Sequence, residues 1–386
     1  MLQKLANLLK RKIIKDYRKD CHKKLGHVLL YYKTSPFVFS FFDQYTHTNN
    51  WEVLAIVKIL NKLGFWVDVL DRDIDLADVK KIEDKYDLFI GLGAGNSGKY
   101  FANLAGKLTK AKKIFYAAGP EPELSNQLVL DRYKYFKIRH PGSDVKLRRM
   151  ITEVDIEKAM ANTDGIFAIG NKFVFDSYDK YHKNIYRIYP SSSPEIIFDL
   201  KQLNNLDSKK FLYFGGNGNI VKGLDLLLEV FEKLPDLELY ICAPQTEEDF
   251  NQVYSDLLAK SKNIHFEGFI KVGGKKFNEL TSKCGFVILP SCSEGNATSV
   301  TTCMRRGLIP VVTYESGIDL GNFGFLISDI SISALQKQIR HLANISDEDF
   351  IRRIQATYFE STKYTQSGFT SGFEKAAISV LSEHKK

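Results

Sequence analysis

Long apolar runs are missing from this chain. No stretch of its 386 residues approaches the roughly 18 to 20 consecutive apolar residues that span a bilayer, so no transmembrane helix is expected. The N-terminus lacks an apolar centre followed by small residues, which argues against a secretory leader. Cysteine is scarce and unpaired in pattern. Cys21, Cys242, Cys284, Cys292 and Cys303 are odd in number and contain no CxxC or zinc-type spacing. That excludes a disulfide framework and a zinc module, and it fits reduced thiols in the cytoplasm. Cys242 and Cys284 sit in or beside apolar runs and read as core filler. Low-complexity segments and fixed-period repeats are lacking too, which excludes solenoids and linker-rich chains.

Excess charge is also lacking over most of the length. The net +8 is concentrated in residues 1–24, where nine Lys or Arg face only Asp16 and Asp20; the other 362 residues carry 45 basic and 44 acidic groups. Leu2, Leu5, Leu8, Leu9, Ile13 and Ile14 recur there at roughly helical spacing, which predicts a basic amphipathic arm over 1–25. Such an arm suits an anionic membrane surface on the cytoplasmic side. A solvated helix packed on the body, or a nucleic-acid contact, are the other readings of the same pattern. No second basic cluster supports nucleic acid, and none is expected as a partner.

What is present is the composition of an ordinary globular protein, 44% apolar and 26% charged, at a length that suits two domains. Short β-rich runs alternate with helical ones: His27–Tyr32, Trp66–Asp71, Tyr86–Gly91, Lys113–Ala118, Gly165–Ile169 and Asn184–Tyr189 in the first half. After a polar connection near 190–210, Phe211–Gly215, Leu237–Cys242, Asn263–Phe266, Gly285–Leu289 and Ile309–Thr313 follow in the second. The alternation predicts α/β architecture with two doubly wound, Rossmann-like domains in tandem, at 26–200 and 208–365, and a closing helix over 366–386. The apolar stripe Val53, Leu54, Ile56, Val57, Leu60 and Leu63 marks a helix, with Asn49 or Asn50 as its cap and Gly64 at its end.

Two constellations carry chemistry. In the first, the strand at Phe211 runs into Gly215, Gly216, Asn217, Gly218 and Asn219, then Lys222 and Gly223 before an apolar helix. Glycines let the backbone approach a ligand, and a lysine at a helix start favours an anion. In the second, the strand ending at Leu289 leads to Pro290, Ser291, Ser293, Glu294, Gly295, Asn296, Ala297, Thr298 and Ser299. The N–H groups at a helix start can hold a diphosphate, and a carboxylate beside them can accept from sugar hydroxyls.

This order of a strand, a glycine-rich turn, Lys222-Gly223 and a helix, then Pro290-Ser291 and Glu294-Gly295 before a helix running to Met304, Gly307 and Pro310, resembles the retaining family 4 glycosyltransferases (glycosyl transferases group 1). The resemblance is sharp over about 208–320. It implies the GT-B fold, two Rossmann-like domains facing a cleft, and a closing helix that returns to the N-terminal domain. It also implies transfer of a sugar from a nucleoside-diphosphate sugar to a carbohydrate or lipid-linked acceptor in polysaccharide or glycolipid synthesis, with no metal and no cofactor. Lys222 matches the lysine that binds donor phosphate, and Glu294 the glutamate that touches the donor sugar. Gly216 to Gly218 and Gly295 to Ser299 match the phosphate-holding turns, and Gly268, Phe269 and Ile270 the segment that brackets the base. The pattern departs from the family twice. Thr302 stands where a second glutamate contacts ribose, and Asn217 where an arginine follows the strand-end glycine. A non-catalytic sugar-binding or scaffold relative is the alternative those departures raise. On the acceptor side, the resemblance and the residue types point to His47, Thr48, Asn49 and Trp51, and to Gly119 after the fourth strand.

Several motifs imitate other chemistry. Gly93, Gly98 and Lys99 have P-loop spacing, but Tyr100 stands where a metal-holding hydroxyl is needed. Asp71, Asp73 and Asp75 imitate a metal-binding acid pair, and His140 is a lone histidine in a loop; both read as structural.

Overall fold

The computed structural model describes residues 12–18, 21, 23–38, 48–192 and 205–382. These form two compact units. Unit 1 comprises the chain up to Leu124, Ile151–Ser191 and the segment from Gln366; unit 2 comprises Ser125–Met150 and Ser192–Thr365.

Unit 1 holds a seven-stranded sheet in the order β1-β3-β2-β4-β5-β6-β7. The strands are β1 Ile13–Tyr17, β2 Gly26–Tyr32, β3 Phe65–Asp71, β4 Leu88–Leu92, β5 Lys112–Ala117, β6 Gly165–Ile169 and β7 Asn184–Ile188. β2 to β7 are parallel, and β2, β4 and β6 are buried at every position, as strands covered on both faces must be. β1 runs antiparallel along β3, with an irregularity between Ile14 and Tyr17. This corrects the helical reading of Ile13 and Ile14. Their side chains pack on opposite faces of the sheet, Ile14 against one core and Ile13 against the other, which is period two and not 3.6. The rest of the arm, residues 1–11, lies outside the described residues.

The helix Thr48–Lys62 packs Val53, Ile56, Val57 and Leu60 on one face of this sheet, and Gly64 closes it with φ +92°. Its first residue is Thr48, so Asn49 and Asn50 lie inside the first turn and neither is the cap. Asn50 is buried and accepts from Lys33 Nζ at 2.5 Å. The closing helix Gln366–Ser382 belongs to the same unit. Phe369, Phe373, Ala376, Ala377 and Val380 bury into that core, with Phe373 edge-on to Phe167 at 5.3 Å.

Unit 2 holds six parallel strands in the order β10-β9-β8-β11-β12-β13. They are β8 Asp207–Phe214, β9 Glu238–Cys242, β10 Ile264–Phe266, β11 Cys284–Leu289, β12 Ile309–Thr313 and β13 Phe325–Ile327. The order reverses between β8 and β11. In a doubly wound sheet, ligands bind in the crevice beyond the carboxyl ends of the strands flanking such a reversal. Those two ends carry the two sequence constellations. In unit 1 the corresponding reversal lies between β2 and β4.

Ser125–Met150 groups with unit 2 although it lies within the first 200 residues. Most of it is the helix Pro122–Arg139, whose buried arginines find their partners there. Arg139 binds Asp225 and Glu229, and Arg132 donates to the carbonyls of Pro290 (2.8 Å) and Ile220 (3.5 Å).

Candidate active site

The site in unit 2 is built from the loops after β8 and β11. After β8 the chain turns through Gly215–Val221 and enters the helix Leu224–Glu232. Gly223 has φ +73°, and a Cβ there would stand 2.6 Å from Pro290 Cγ and O. Only glycine therefore allows the two loops to touch. Lys222 is tied back by its amide to Gly218 O at 2.8 Å, and its side chain is buried and meets Glu294 Oε1. Glu294 also accepts from Ser291 Oγ at 3.2 Å.

Burial pulls the Lys222 ammonium below its ordinary pKa; Glu294 offsets part of that and the positive Arg149 adds to it. For Glu294, burial pushes the carboxyl up, but Lys222 and Arg149 together outweigh it and the group titrates below its usual range. The site thus holds an ionised carboxylate with cations on both of its oxygens, Arg149 Nη2 being 3.7 Å from Oε2.

The second loop is held by the turn after β12. Glu294 N–H donates to Glu315 O at 2.9 Å, and Ala297 N–H to Ser316 O at 3.0 Å. Asn296 Nδ2 donates to Gly317 O at 2.9 Å, while its Oδ1 is buried without a hydrogen-bond partner. The helix Thr298–Met304 then starts, and the N–H groups of Thr298 and Ser299 lie in its first turn, where no intrahelical acceptor exists.

The turn after β8 differs from the expectation. The N–H groups of Gly218 and Asn219 donate to the buried carboxylate of Glu247, so two amides expected to face phosphate already hold an anion of the protein itself. Asn217 is an acceptor for Thr246 Oγ1 at 3.0 Å and offers no charge. Thr302 is buried within its helix. Phe269 is 77% exposed beside Gly268, which has φ +70°, and Ile270 is buried. An open aromatic face of this kind suits stacking.

With this geometry in view, comparison with known proteins is informative. The family model "Glycosyl transferases group 1" matches residues 196–355. No curated protein sequence matches the chain. Among solved structures, a complex of Anabaena HepE with UDP and glucose superposes with a TM-score of 0.58 at 13% identity, covering 93% of this chain and 100% of that one. The α,α-trehalose 6-phosphate synthase of Burkholderia multivorans gives 0.61 at 10% identity, covering 94% and 99%. TarM gives 0.52 at 14% identity, covering 78% of this chain but only 56% of TarM's length. The chain has the GT-B fold of these glycosyltransferases, and residues 196–355 match the group 1 family model. Its family match stops short of unit 1, whose likeness to these proteins is one of fold.

In unit 1 of this GT-B chain, the expected acceptor residues are only partly assembled. His47 lies outside the described residues. Thr48 and Asn49 begin the helix, and Trp51 sets its indole edge-on against Phe369 at 5.7 Å, so the ring packs on the closing helix. Gly119 O accepts from the buried Tyr178 hydroxyl at 3.1 Å. Nearby, the Glu121 carboxylate accepts from Leu124 N–H at 2.9 Å at the start of the helix Pro122–Arg139.

The imitations resolve into structural roles. Lys99 pairs with Glu153 at 3.9 Å and lies over the Tyr100 ring. Asp71 Oδ2 holds Thr34, and Asp75 caps the helix Leu76–Lys81 and binds Lys12. His140 meets Glu229 Oε1 and Tyr254 OH, each at 2.9 Å. The group with metal-ligand spacing among the described residues is Asp16, His27 and Asp68. Asp68 already receives His27 Nε2 at 3.1 Å, Asp16 N–H at 2.7 Å and Tyr86 OH at 2.7 Å, so it serves as a hub of internal hydrogen bonds. No described helix is long and apolar enough to cross a membrane.

Two features escaped sequence reasoning. Arg149 and Arg132 come from the first half of the chain, 73 and 90 positions before Lys222. A cavity of about 350 Å³ lies beside the Glu294 loop, lined by Arg132, Cys292, Thr313 and Glu315 among others. Burial raises the Cys292 thiol to about 11, which leaves it inert at neutral pH.

Proposed function

We propose that this protein transfers a sugar from a nucleoside-diphosphate donor to a carbohydrate or lipid-linked acceptor, with retention and without a metal ion. The observation that carries this reading is the buried Lys222–Glu294 pair at the reversal point of the unit 2 sheet, within the matched residues. Lys222 and the N–H groups of Thr298 and Ser299 stabilise the charge that develops on the departing diphosphate, the task a divalent cation performs elsewhere. Glu294, kept ionised by its cations, accepts from donor-sugar hydroxyls and orients the anomeric carbon. Phe269 stacks on the base. Retention comes from family resemblance. HepE, solved with UDP and glucose, supports a sugar nucleotide as the ligand class.

The test is turnover of UDP-, GDP- and ADP-sugars by the full chain, with and without a chelator, alongside Lys222→Ala and Glu294→Gln. Turnover that survives the chelator and falls at least about a hundredfold in both variants is expected. A chain that neither turns over nor binds any of these donors refutes the reading. A second reading, a sugar-nucleotide-binding relative without turnover, is favoured by the occupation of the Gly218 and Asn219 amides by Glu247. It predicts binding with no hydrolysis or transfer.

For the basic arm we propose a contact with anionic membrane on the cytoplasmic side. Because β1 belongs to the sheet of unit 1, the informative truncation removes residues 1–11 only. Loss of flotation with phosphatidylserine vesicles is the expected result, and unchanged flotation rejects the contact.

A further inference from the structure

The sequence lacks the arginine that the resemblance places at 217, and the Gly218 and Asn219 amides are filled by Glu247. The structure brings a different cation to the same place. Arg149 lies along the glycine turn: a Cβ on Gly218 would stand 3.0 Å from Arg149 Cδ and 3.1 Å from Cγ. Its guanidinium reaches Glu294 Oε2 from the side opposite Lys222. Its backbone has φ +68°, a left-handed conformation unfavourable for a side chain this long. Strain of this kind persists where the surroundings over-determine it, and they do here. Arg148 forms a fork with Asp249 at 2.6 and 2.8 Å, Lys146 N–H donates to Asp249 Oδ2 at 2.8 Å, and Arg148 N–H donates to Tyr133 OH at 3.1 Å. The segment is strapped to the start of the helix Glu248–Lys260, and Arg149 is the next residue.

Lys222 and Arg149 are two cations on the one carboxylate of Glu294, while Glu247, on the Gly218 and Asn219 amides, lies 3.9 Å from Arg148. Arg149 has its side chain 41% exposed, against 9% for Lys222, so it is the cation a ligand meets from solvent. The buried Tyr213 hydroxyl, 2.9 Å from where a Cβ on Gly215 would stand, has no hydrogen-bond partner. The glycine turn therefore adjoins a buried polar group as well as the two cations.

We propose that Arg149 is the second donor-phosphate ligand of this enzyme, a guanidinium delivered by the segment after the helix Pro122–Arg139 that takes over the role of the arginine missing at 217. A planar guanidinium binds two phosphate oxygens at once, which Lys222 cannot do. Recognition of a diphosphate over a monophosphate would thus depend on Arg149. The proposal rests on the sugar-nucleotide reading above, and its test separates the two.

Binding of UDP, GDP and ADP to the full chain is measured by calorimetry, and the tightest is carried forward with its monophosphate and its nucleoside. Arg149→Gly is the primary variant, because glycine accepts φ +68° and only the side chain is lost. Diphosphate binding about ten- to a hundredfold weaker is expected, with the nucleoside within about twofold and the unfolding midpoint of the unliganded protein unchanged. Adding Asn217→Arg should recover much of the loss. If Arg149→Gly does not fold, Arg149→Gln tests the charge alone, with the same expectation. Diphosphate binding that Lys222→Ala abolishes and Arg149→Gly leaves intact overturns this inference and spares the sugar-nucleotide reading. Absence of any nucleotide binding by the wild type overturns both.

Discussion

Two glycine-rich turns in this protein look alike in sequence and differ in use. Gly93–Lys99 follows β4 in unit 1, and Gly215–Lys222 follows β8 in unit 2. Each ends in a lysine near a helix, and each lies at a reversal of strand order. In unit 1 the space is filled by the protein. Tyr31 OH donates to Ser97 O at 3.0 Å, Asn96 Oδ1 takes the amides of Thr152 and Glu153, and a Cβ on Gly93 would overlap the Phe115 ring. Lys99 faces outward to Glu153. In unit 2 the lysine is buried against a carboxylate and a second cation stands on the other side. Glycines at a strand end report a tight βα connection; two cations on one carboxylate, one of them open to solvent, point to an anionic ligand.

The largest test of that contrast concerns activity. Lys222→Ala should reduce donor turnover by about a hundredfold or more, whereas Lys99→Ala should stay within about twofold. A comparable loss in both, in a turnover assay, would erase the distinction. Next is backbone. Gly223→Ala forces a side chain onto φ +73° and into Pro290, and should destabilise unit 2 by about 2–4 kcal/mol in denaturant melts. Gly95→Ala, with open space around it and an extended φ of 169°, should change stability by less than about 0.5 kcal/mol.

Buried carboxylates draw the same line between the units. Glu52 in unit 1 accepts from Ser191 N–H at 3.1 Å and from its hydroxyl at 3.3 Å, and among the described residues no cation pairs with it. Burial raises its pKa from 4.5 to about 7. The folded state therefore holds the proton more tightly than the unfolded chain. The associated stability is present below pH 4.5 and is lost as pH rises from there to about 7. Glu52→Gln should remove that slope, worth up to about 3 kcal/mol, and narrow or reverse its deficit at pH 8. Glu294 has the opposite sign: with its pKa depressed, its contribution is present above the unfolded value of 4.5 and fades as pH falls below it. Unfolding followed from about pH 2.5 to about pH 8 in both Gln variants checks the signs. The smallest effect on the fold belongs to Phe269→Ala. Stability should move by less than about 0.5 kcal/mol, while nucleotide binding weakens about tenfold through lost stacking.

Much of the architecture was legible in the chain. Short apolar runs such as Val28–Tyr32 and Ile309–Val312, bounded by turns and alternating with helical patterns, announce strands covered on both faces. The helix Pro122–Arg139 was not legible. Its apolar and charged residues, including Arg132 and Arg139, follow no clean stripe, since it buries guanidiniums against carbonyls and carboxylates where an ordinary amphipathic helix buries methyls. Nor was β1, whose Ile13 and Ile14 fit helical spacing until the antiparallel pairing with β3 assigned them to opposite faces.

For the candidate site, local sequence marked Gly223 and the helix start at Thr298 through backbone geometry, and Lys222 and Glu294 through their places in the turns at the two strand ends. Tertiary structure alone decided the rest. Glu247 fills the amides of Gly218 and Asn219 from 29 and 28 positions away, Arg132 ties Ile220 to Pro290, and Arg149 reaches Glu294 across 145 positions. Charge compensation in a buried site is set by distance in space, and a linear pattern holds no record of which distant side chain arrives.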